Sequence, residues 1–220
     1  MYLSQDALDY VLSAKDELMD LERTLCAIPS PSHQEHRRAA FCKEWLEKAG
    51  AKGVYIDEVQ NVIFPINAEG SSRLTLFAAH MDTVFPDTEP MPMWEEDGIL
   101  YCPGAGDDTG SVALVLMISK YLISRNIQPE DGFLMVCNTC EEVDQSGITH
   151  VVDAYQGRLK EAYMMDGLYN QVVNWPVAYQ KYKVHIHAQG GHAYLNFGNP
   201  SAVVLSLIHI SEPTRRVVIS

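Results

Sequence analysis

The chain is poor in positive charge: 16 Lys and Arg stand against 29 Asp and Glu, a formal net charge of −13 over 220 residues. That balance argues against nucleic acid or an anionic membrane as a partner, because both would be repelled. Long apolar runs are missing too. The longest central one, Val112–Ile118, is far too short to cross a bilayer, which needs about 20 residues. The first residues lack the basic-then-apolar pattern of a signal peptide, since Asp6, Asp9, Asp16, Glu17 and Asp20 crowd them. Cysteine is sparse. Five residues, odd in number and scattered, fit reduced thiols and an expected cytoplasmic location. Cys137 and Cys140 have C-x-x-C spacing, but no second pair completes a four-sulfur zinc site; both are expected to be core or strand-end cysteines. There is no internal repeat and no low-complexity tract.

What is present is a succession of helical and strand-like segments. Apolar residues at helical spacing run through 3–27, and Pro29 and Pro31 then break the chain. A second helix is expected from about Gln34 to Ala49, ended by Gly50. Strands are expected near 54–58, 61–66, 74–79, 99–102, 133–138 and 162–165. Between them lie an irregular proline-rich segment over 85–94, a buried helix over about 109–124 and a short helix over 150–155. Strands alternating with helices imply an α/β fold with a mainly parallel sheet flanked by helices. After Asn174-Trp175-Pro176 the pattern changes: residues 178–188 alternate like a strand, and a new helix starts near Pro200. Residues 1–175 are therefore expected to form one domain and 176–204 the start of another. Leu205–Arg215 resembles the translation of a transposase sequencing adaptor, so 205–220 is expected to be non-native; the alternative is an apolar helix continuing Val203-Val204.

The apolar run Leu74–Ala79 ends in His80-Met81-Asp82, and three further acidic clusters follow strand-like runs: Gly106-Asp107-Asp108, Glu141-Glu142 and Asp166. In a parallel sheet, ligands gather at the carboxyl ends of the strands, so the four clusters point to one site on one sheet edge. Imidazole mixed with carboxylates suits zinc, manganese or cobalt better than calcium or magnesium. A two-metal site needs a bridging carboxylate, terminal ligands on each ion, and one carboxylate left free as a base. Asp107, after a glycine-rich turn that permits close approach, is the candidate bridge. Glu141 and Glu142 point in different directions, so one can bind metal while the other faces water. Asp82 can hold the second ring nitrogen of His80. Taken singly, each cluster has a plainer account: a solvated acidic turn for Glu141-Glu142, a helix N-cap for Asp107-Asp108, an Asp-Gly turn for Asp166. Taken together, those accounts leave four carboxylate-rich strand ends without a counter-charge.

Four motifs resemble, in order and rough spacing, those of the di-zinc exopeptidase and amidohydrolase superfamily that includes peptidase T, glutamate carboxypeptidase and the aminoacylases. They are Ala79-His80-Met81-Asp82-Thr83-Val84, Gly104-Ala105-Gly106-Asp107-Asp108-Thr109-Gly110, Glu141-Glu142 with Gly147 after it, and Met165-Asp166-Gly167. Ile28-Pro29-Ser30-Pro31-Ser32, followed by Glu35 and a helix, is similar to that family's N-terminal segment. The resemblance covers about residues 8–204. It implies a metal-dependent hydrolase of amide bonds in small peptides or N-acyl amino acids, using two Zn2+ ions, with Co2+ or Mn2+ as possible replacements. His80 and Asp166 would bind one ion, Asp107 would bridge, Glu142 would bind the second, and Glu141 would be the general base. Asp82 would orient His80, and a cis peptide is implied after Asp107. Gly191-His192 resembles a lid-domain histidine that polarises the scissile carbonyl, often in the active site of the partner subunit of a homodimer. Residues 1–175 would then be the N-terminal part of a catalytic domain, and 176–204 the start of a lid and dimerisation domain.

Two departures qualify the resemblance. The family's last zinc ligand, a histidine from a later catalytic segment, has no counterpart here, and His209 lies too early and in the adaptor-like tail. The 220 residues are thus expected to hold the second zinc incompletely and to be inactive alone. Asp144 stands where many relatives carry glycine, while His185 and His187 match no ligand and fit a solvated sheet surface. Two other function classes compete. Gly104-x-Gly106 between a strand and a helix invites a dinucleotide-binding oxidoreductase, but the third glycine falls at 110, and Asp107-Asp108 would repel a pyrophosphate. A non-catalytic metal- or peptide-binding relative is the other, and retention of both Glu141 and Glu142 argues against it.

Overall fold

The computed structural model describes residues 3–167, 171–175, 184–192 and 194–211, with backbone alone from 208. The chain divides into two compact units, Met1–Gln171 and Val172–Ser220. In the first unit, helices α1 (Gln5–Ser13), α2 (Lys15–Cys26) and α3 (His36–Lys48) precede strands β1 (Tyr55–Ile56), β2 (Val62–Ile66) and β3 (Leu74–His80). Strands β4 (Trp94–Glu96) and β5 (Ile99–Tyr101), helix α4 (Gly110–Ser124), strand β6 (Gly132–Asn138), helix α5 (Ser146–Ala154) and strand β7 (Leu159–Met164) complete it. The second unit contains helix α6 (Ala202–Ser211).

The main sheet has five strands in the order β1-β2-β6-β3-β7. β3 runs parallel to both β6 and β7, whereas β2 is antiparallel to β6 and to β1. Only β2 therefore opposes the common direction, and the sheet is mainly parallel, as expected. The central strands β2, β3 and β6 are nearly continuous apolar runs because both their faces are covered, whereas β7 at the edge is largely exposed. One face carries Val62, Phe64, Ala79, Met135 and Cys137 against α2, α3 and α4; the other carries Ile63, Leu76, Ala78, Leu134 and Val136 against Val151 of α5. Alternation along each strand assigns these two sets. Helix α4 lies deep in the first face, with Val112, Ala113, Val115, Leu116 and Met117 all buried. Cys137 belongs to this core and all five cysteines are free, in keeping with their expected structural role.

Several sequence expectations are corrected. Residues 3–27 form two helices rather than one, with Ala14 between them at φ −91° and ψ 0°. The first buries no residue fully; it is fastened by the Tyr10 hydroxyl, which donates to the Met117 carbonyl at 3.0 Å. The strand at 99–102 belongs to a separate two-stranded hairpin with β4, not to the main sheet. Asp107 therefore does not follow a strand of the sheet that carries His80. The short helix begins at Ser146, four residues ahead of its expected start. Of the alternating stretch 178–188, residues 178–183 lie outside the described residues, and 184–188 form no strand, having no hydrogen-bonded neighbour strand among the described residues. Among the described residues no helix is long and apolar enough to cross a membrane.

Gly147, in the first turn of α5, lies hard against the end of β6. A methyl group there would sit 2.6 Å from Thr139 Oγ1 and 2.7 Å from Asn61 Oδ1, and would also meet the Thr139 carbonyl. Backbone cannot yield as a side-chain tip can. Gly147→Ala is expected to destabilise the protein by about 1–3 kcal/mol in urea unfolding; unchanged stability would show that α5 can shift freely.

Candidate metal centre

The parallel register builds half of the centre. His80 ends β3 and pairs with Asn138 of β6, while Ala78 pairs with Met164 of β7. Two places further along, Asp166 comes beside His80 on the same face, because side chains alternate with a period of two. The Met165 amide still donates to the Ala78 carbonyl at 2.7 Å, so the ladder holds up to that point.

Asp107 arrives from elsewhere. An irregular turn over Ala105–Thr109 leads into α4 and carries a cis peptide between Asp107 and Asp108. Gly104 opens the turn at φ 76°, and a Cβ on it would come within 2.6 Å of Thr83 Cγ2. Glycine is thus required by both backbone angle and space at 104. At Gly106 a Cβ would meet nothing within 4 Å, so the close-approach argument applies to the first glycine only. The turn brings Asp107 Oδ1 to 3.0 Å from His80 Nε2.

His80, Asp107 and Asp166 each offer a ligand atom, and these atoms lie within 4.8 Å of one another. His80 is almost wholly buried, whereas the Asp107 side chain is 70% exposed, so the group has a buried floor and an open mouth. One imidazole and two carboxylates within that span fit a zinc-like cation, whose nitrogen and oxygen ligands sit at about 2.0–2.2 Å. Glu142 is not a member of this trio. Burial raises its pKa, and the neighbouring charge of Asp107 adds to the rise.

Asp82 is fully buried. The ring Nδ1 of His80 meets the Asp82 backbone carbonyl at 3.0 Å and lies 3.4 Å from the carboxylate. The carboxylate itself accepts the Glu141 amide at 2.9 Å, the Glu142 amide at 3.2 Å and the Ser32 hydroxyl at 2.7 Å. Burial opposes its charge, yet the hydrogen bonds from His80, Ser32 and the Glu141 amide win and hold its pKa below the usual range. For His80 burial disfavours the charged ring. Its hydrogen bond to Asp82 and the charges of Asp108, Asp82 and Asp166 outweigh this and lift it to about 10. Asp108, whose Oδ2 accepts the His80 amide at 3.1 Å, is pushed up to about 7, chiefly by burial. It is not the N-cap of α4, a position held by Thr109.

Glu141 follows Cys140, a non-glycine residue at φ 56°, and its Oε1 accepts from Gln145 Nε2 at 3.1 Å. Asp144 does not disturb the turn. The left-handed positions fall at Cys140 and Gln145, and Asp144 Oδ1 accepts the Ser146 amide at 3.0 Å ahead of α5. His192 belongs to the second unit, where its amide donates to Asn196 Oδ1 at 2.9 Å. His185 and His187 are exposed there, with rings stacked 6.4 Å apart.

The sequence analysis missed Arg38. Its guanidinium is buried and donates to the carbonyl of Met81 at 2.8 Å, to Thr109 Oγ1 at 3.1 Å, and to the carbonyls of Leu25 at 3.0 Å and Ile28 at 2.7 Å. It thereby ties the His80–Asp82 segment to the start of α4 and to the N-terminal segment. The signal was its place four and eight residues before Cys42 and Leu46 on the buried stripe of α3.

The model of peptidase family M20/M25/M40 matches residues 76–217. The match runs into the tail that resembles an adaptor. Over 179 residues the chain is 31% identical to a Pyrobaculum aerophilum protein named for LysW-lysine/LysW-ornithine hydrolysis, covering 79% of this chain and 48% of that one. It is 29% identical to a succinyl-diaminopimelate desuccinylase of Corynebacterium glutamicum, covering 61% and 37%. The chain thus spans about half or less of the length of these relatives. Among solved structures, human carnosine dipeptidase 1 superposes with a TM-score of 0.61 at 18% identity, over 75% of this chain and 41% of that one. A Staphylococcus aureus tripeptidase gives 0.56 at 21% identity, over 68% and 43%. These superpositions establish the shared fold.

Arg38→Met keeps the bulk of the side chain but removes four hydrogen bonds from a charged donor. A loss of about 2–4 kcal/mol is expected in chemical denaturation, only partly recovered by Arg38→Lys, which lacks the fork. A variant as stable as the wild type would show that these carbonyls find other donors.

Proposed function

Because the chain belongs to peptidase family M20/M25/M40, we propose that it is a metal-dependent hydrolase of amide bonds in small peptides or N-acyl amino acids. The observation that carries this reading is the convergence of His80, Asp107 and Asp166 at the open end of the sheet. His80, Asp107 and Asp166 would hold a Zn2+ ion, and Glu142 with Asp107 would be the groups available to a second; Co2+ or Mn2+ could substitute. When bound, the metal supplies Lewis acidity that polarises the scissile carbonyl and makes water a better acid.

The protein's own groups do the rest. Glu141 takes the proton of the attacking water and passes it to the leaving amine. Asp82 fixes the amides of Glu141 and Glu142, and its carbonyl sets the ring plane of His80. His192 donates to the developing oxyanion from a lid domain beginning after residue 175, as part of a homodimer. The relatives named for LysW-lysine hydrolysis and for desuccinylation are the reason to include N-acyl amino acids beside peptides.

Two measurements test this. Co2+ added to the metal-free protein should produce visible ligand-field absorption, and His80→Ala and Asp166→Ala should abolish it; a wild type that stays colourless overturns the metal assignment. Zinc-loaded full-length protein, carrying the later catalytic segment, should hydrolyse members of a panel of dipeptides and N-acyl amino acids, whereas the 220 residues alone should not. Glu141→Ala should lower kcat by about 10²–10⁴-fold while zinc content is largely kept. Activity within about tenfold of the wild type would refute its role as base.

A further inference from the structure

Glu35 is a buried carboxylate, 2% exposed, with no cation within ion-pair distance among the described residues. Such a group is tolerated only where hydrogen bonds replace its water. It stands at the N-cap position of α3, where a side chain normally folds back onto the first turn, yet it makes no capping bond there. It turns away instead. Its Oε1 accepts the Cys140 amide at 3.0 Å and the His33 amide at 3.1 Å, with the Cys140 Sγ at 3.4 Å. A local contact is thus given up for one 105 residues away in sequence.

The bond to Cys140 belongs to a series. Four consecutive amides after β6 are each held by a side-chain oxygen: Thr139 by Asn61 at 3.0 Å, Cys140 by Glu35 at 3.0 Å, Glu141 and Glu142 by Asp82 at 2.9 and 3.2 Å. Within that run Cys140 adopts φ 56°, a left-handed conformation that a residue with a Cβ enters reluctantly. Glu35 is therefore the group that holds the chain in this bend, and the bend sets the directions in which the next two side chains leave.

We propose that Glu35 is a positioning residue for Glu141 and Glu142, acting through the Cys140 amide. This rests on the assignment of Glu141 as general base, so the test has one arm that does not depend on it. In the first arm, hydrogen exchange followed by mass spectrometry compares wild type, Glu35→Ala and Glu35→Gln. Glu35→Ala should speed exchange of the segment spanning 139–142 at least about tenfold, with β3 and α4 unchanged. Glu35→Gln keeps an acceptor and should restore most of the protection. In the second arm, made in the full-length protein, Glu35→Ala should lower kcat at least about tenfold with KM within about threefold, and Glu35→Gln should recover part of it. Unchanged exchange at 139–142 overturns the proposal, and so does faster exchange spread evenly over the unit, which would mark Glu35 as a general structural anchor. A full-length wild type that binds Co2+ but hydrolyses nothing would sink the assignment of Glu141 while leaving the exchange arm to decide on Glu35.

Discussion

The buried carboxylate of Asp82 is the junction on which the candidate centre depends. Three stretches distant in sequence meet on it: the N-terminal segment through the Ser32 hydroxyl, the end of β3 through its own position, and the turn after β6 through the amides of Glu141 and Glu142. A carboxylate taken out of water must recover its hydrogen bonds from the protein, and Asp82 does so three times over. The arrangement is reciprocal. The amides it holds would otherwise be unpaired at the end of a parallel strand, and the charge it keeps would otherwise be too costly to bury. Arg38 fixes the same segment by donating to the Met81 carbonyl, and its two terminal nitrogens also reach Leu25, Ile28 and Thr109.

Sheet geometry supplies the second constraint. Parallel strands in register place equivalent side chains in rows across the sheet, and the row at the carboxyl end contains Asn138 and His80, with Asp166 reached by continuing β7. A sheet alone therefore gives a nitrogen and one carboxylate. The third member of the trio, Asp107, comes from the turn before α4, which Gly104 lets lie against Thr83. The result is graded in exposure, from buried His80 to open Asp107. A buried ligand fixes position, and an exposed one leaves access for a substrate.

Much of this was legible in the sequence, for identifiable reasons. His80, Asp107 and Asp166 were visible because each terminates a run of apolar residues or a glycine turn, a pattern that survives without knowledge of partners. Which sheet a strand joins is not visible: the strand over 99–102 reads as part of one sheet with the others, but it belongs to a hairpin with β4. Nor could periodicity reveal the break at Ala14, since the residues around it are compatible with one continuous helix. Arg38 escaped because a charged residue between His36, Arg37 and Ala39 looks like helix surface; only its spacing to Cys42 and Leu46 betrays it. Asn61 and Glu35 reach the turn after β6 through backbone contacts 78 and 105 residues away, which leave no local pattern.

The charge distribution explains why these long-range contacts matter. Asp82, Asp107, Asp108, Glu141, Glu142 and Asp166 converge on a region where His80 is the imidazole at their centre, and that ring is drawn toward protonation by the carboxylates around it. Like charges so placed repel one another, so side chains left to themselves would splay into solvent. What prevents this is that the chain is held at its backbone. The amide run from Thr139 to Glu142 is pinned to Asn61, Glu35 and Asp82, and the turn at Asp107 is pinned by α4 and Thr83. A cation entering the centre would then find its oxygen ligands already gathered, and the energy of its binding need not be spent on assembling them.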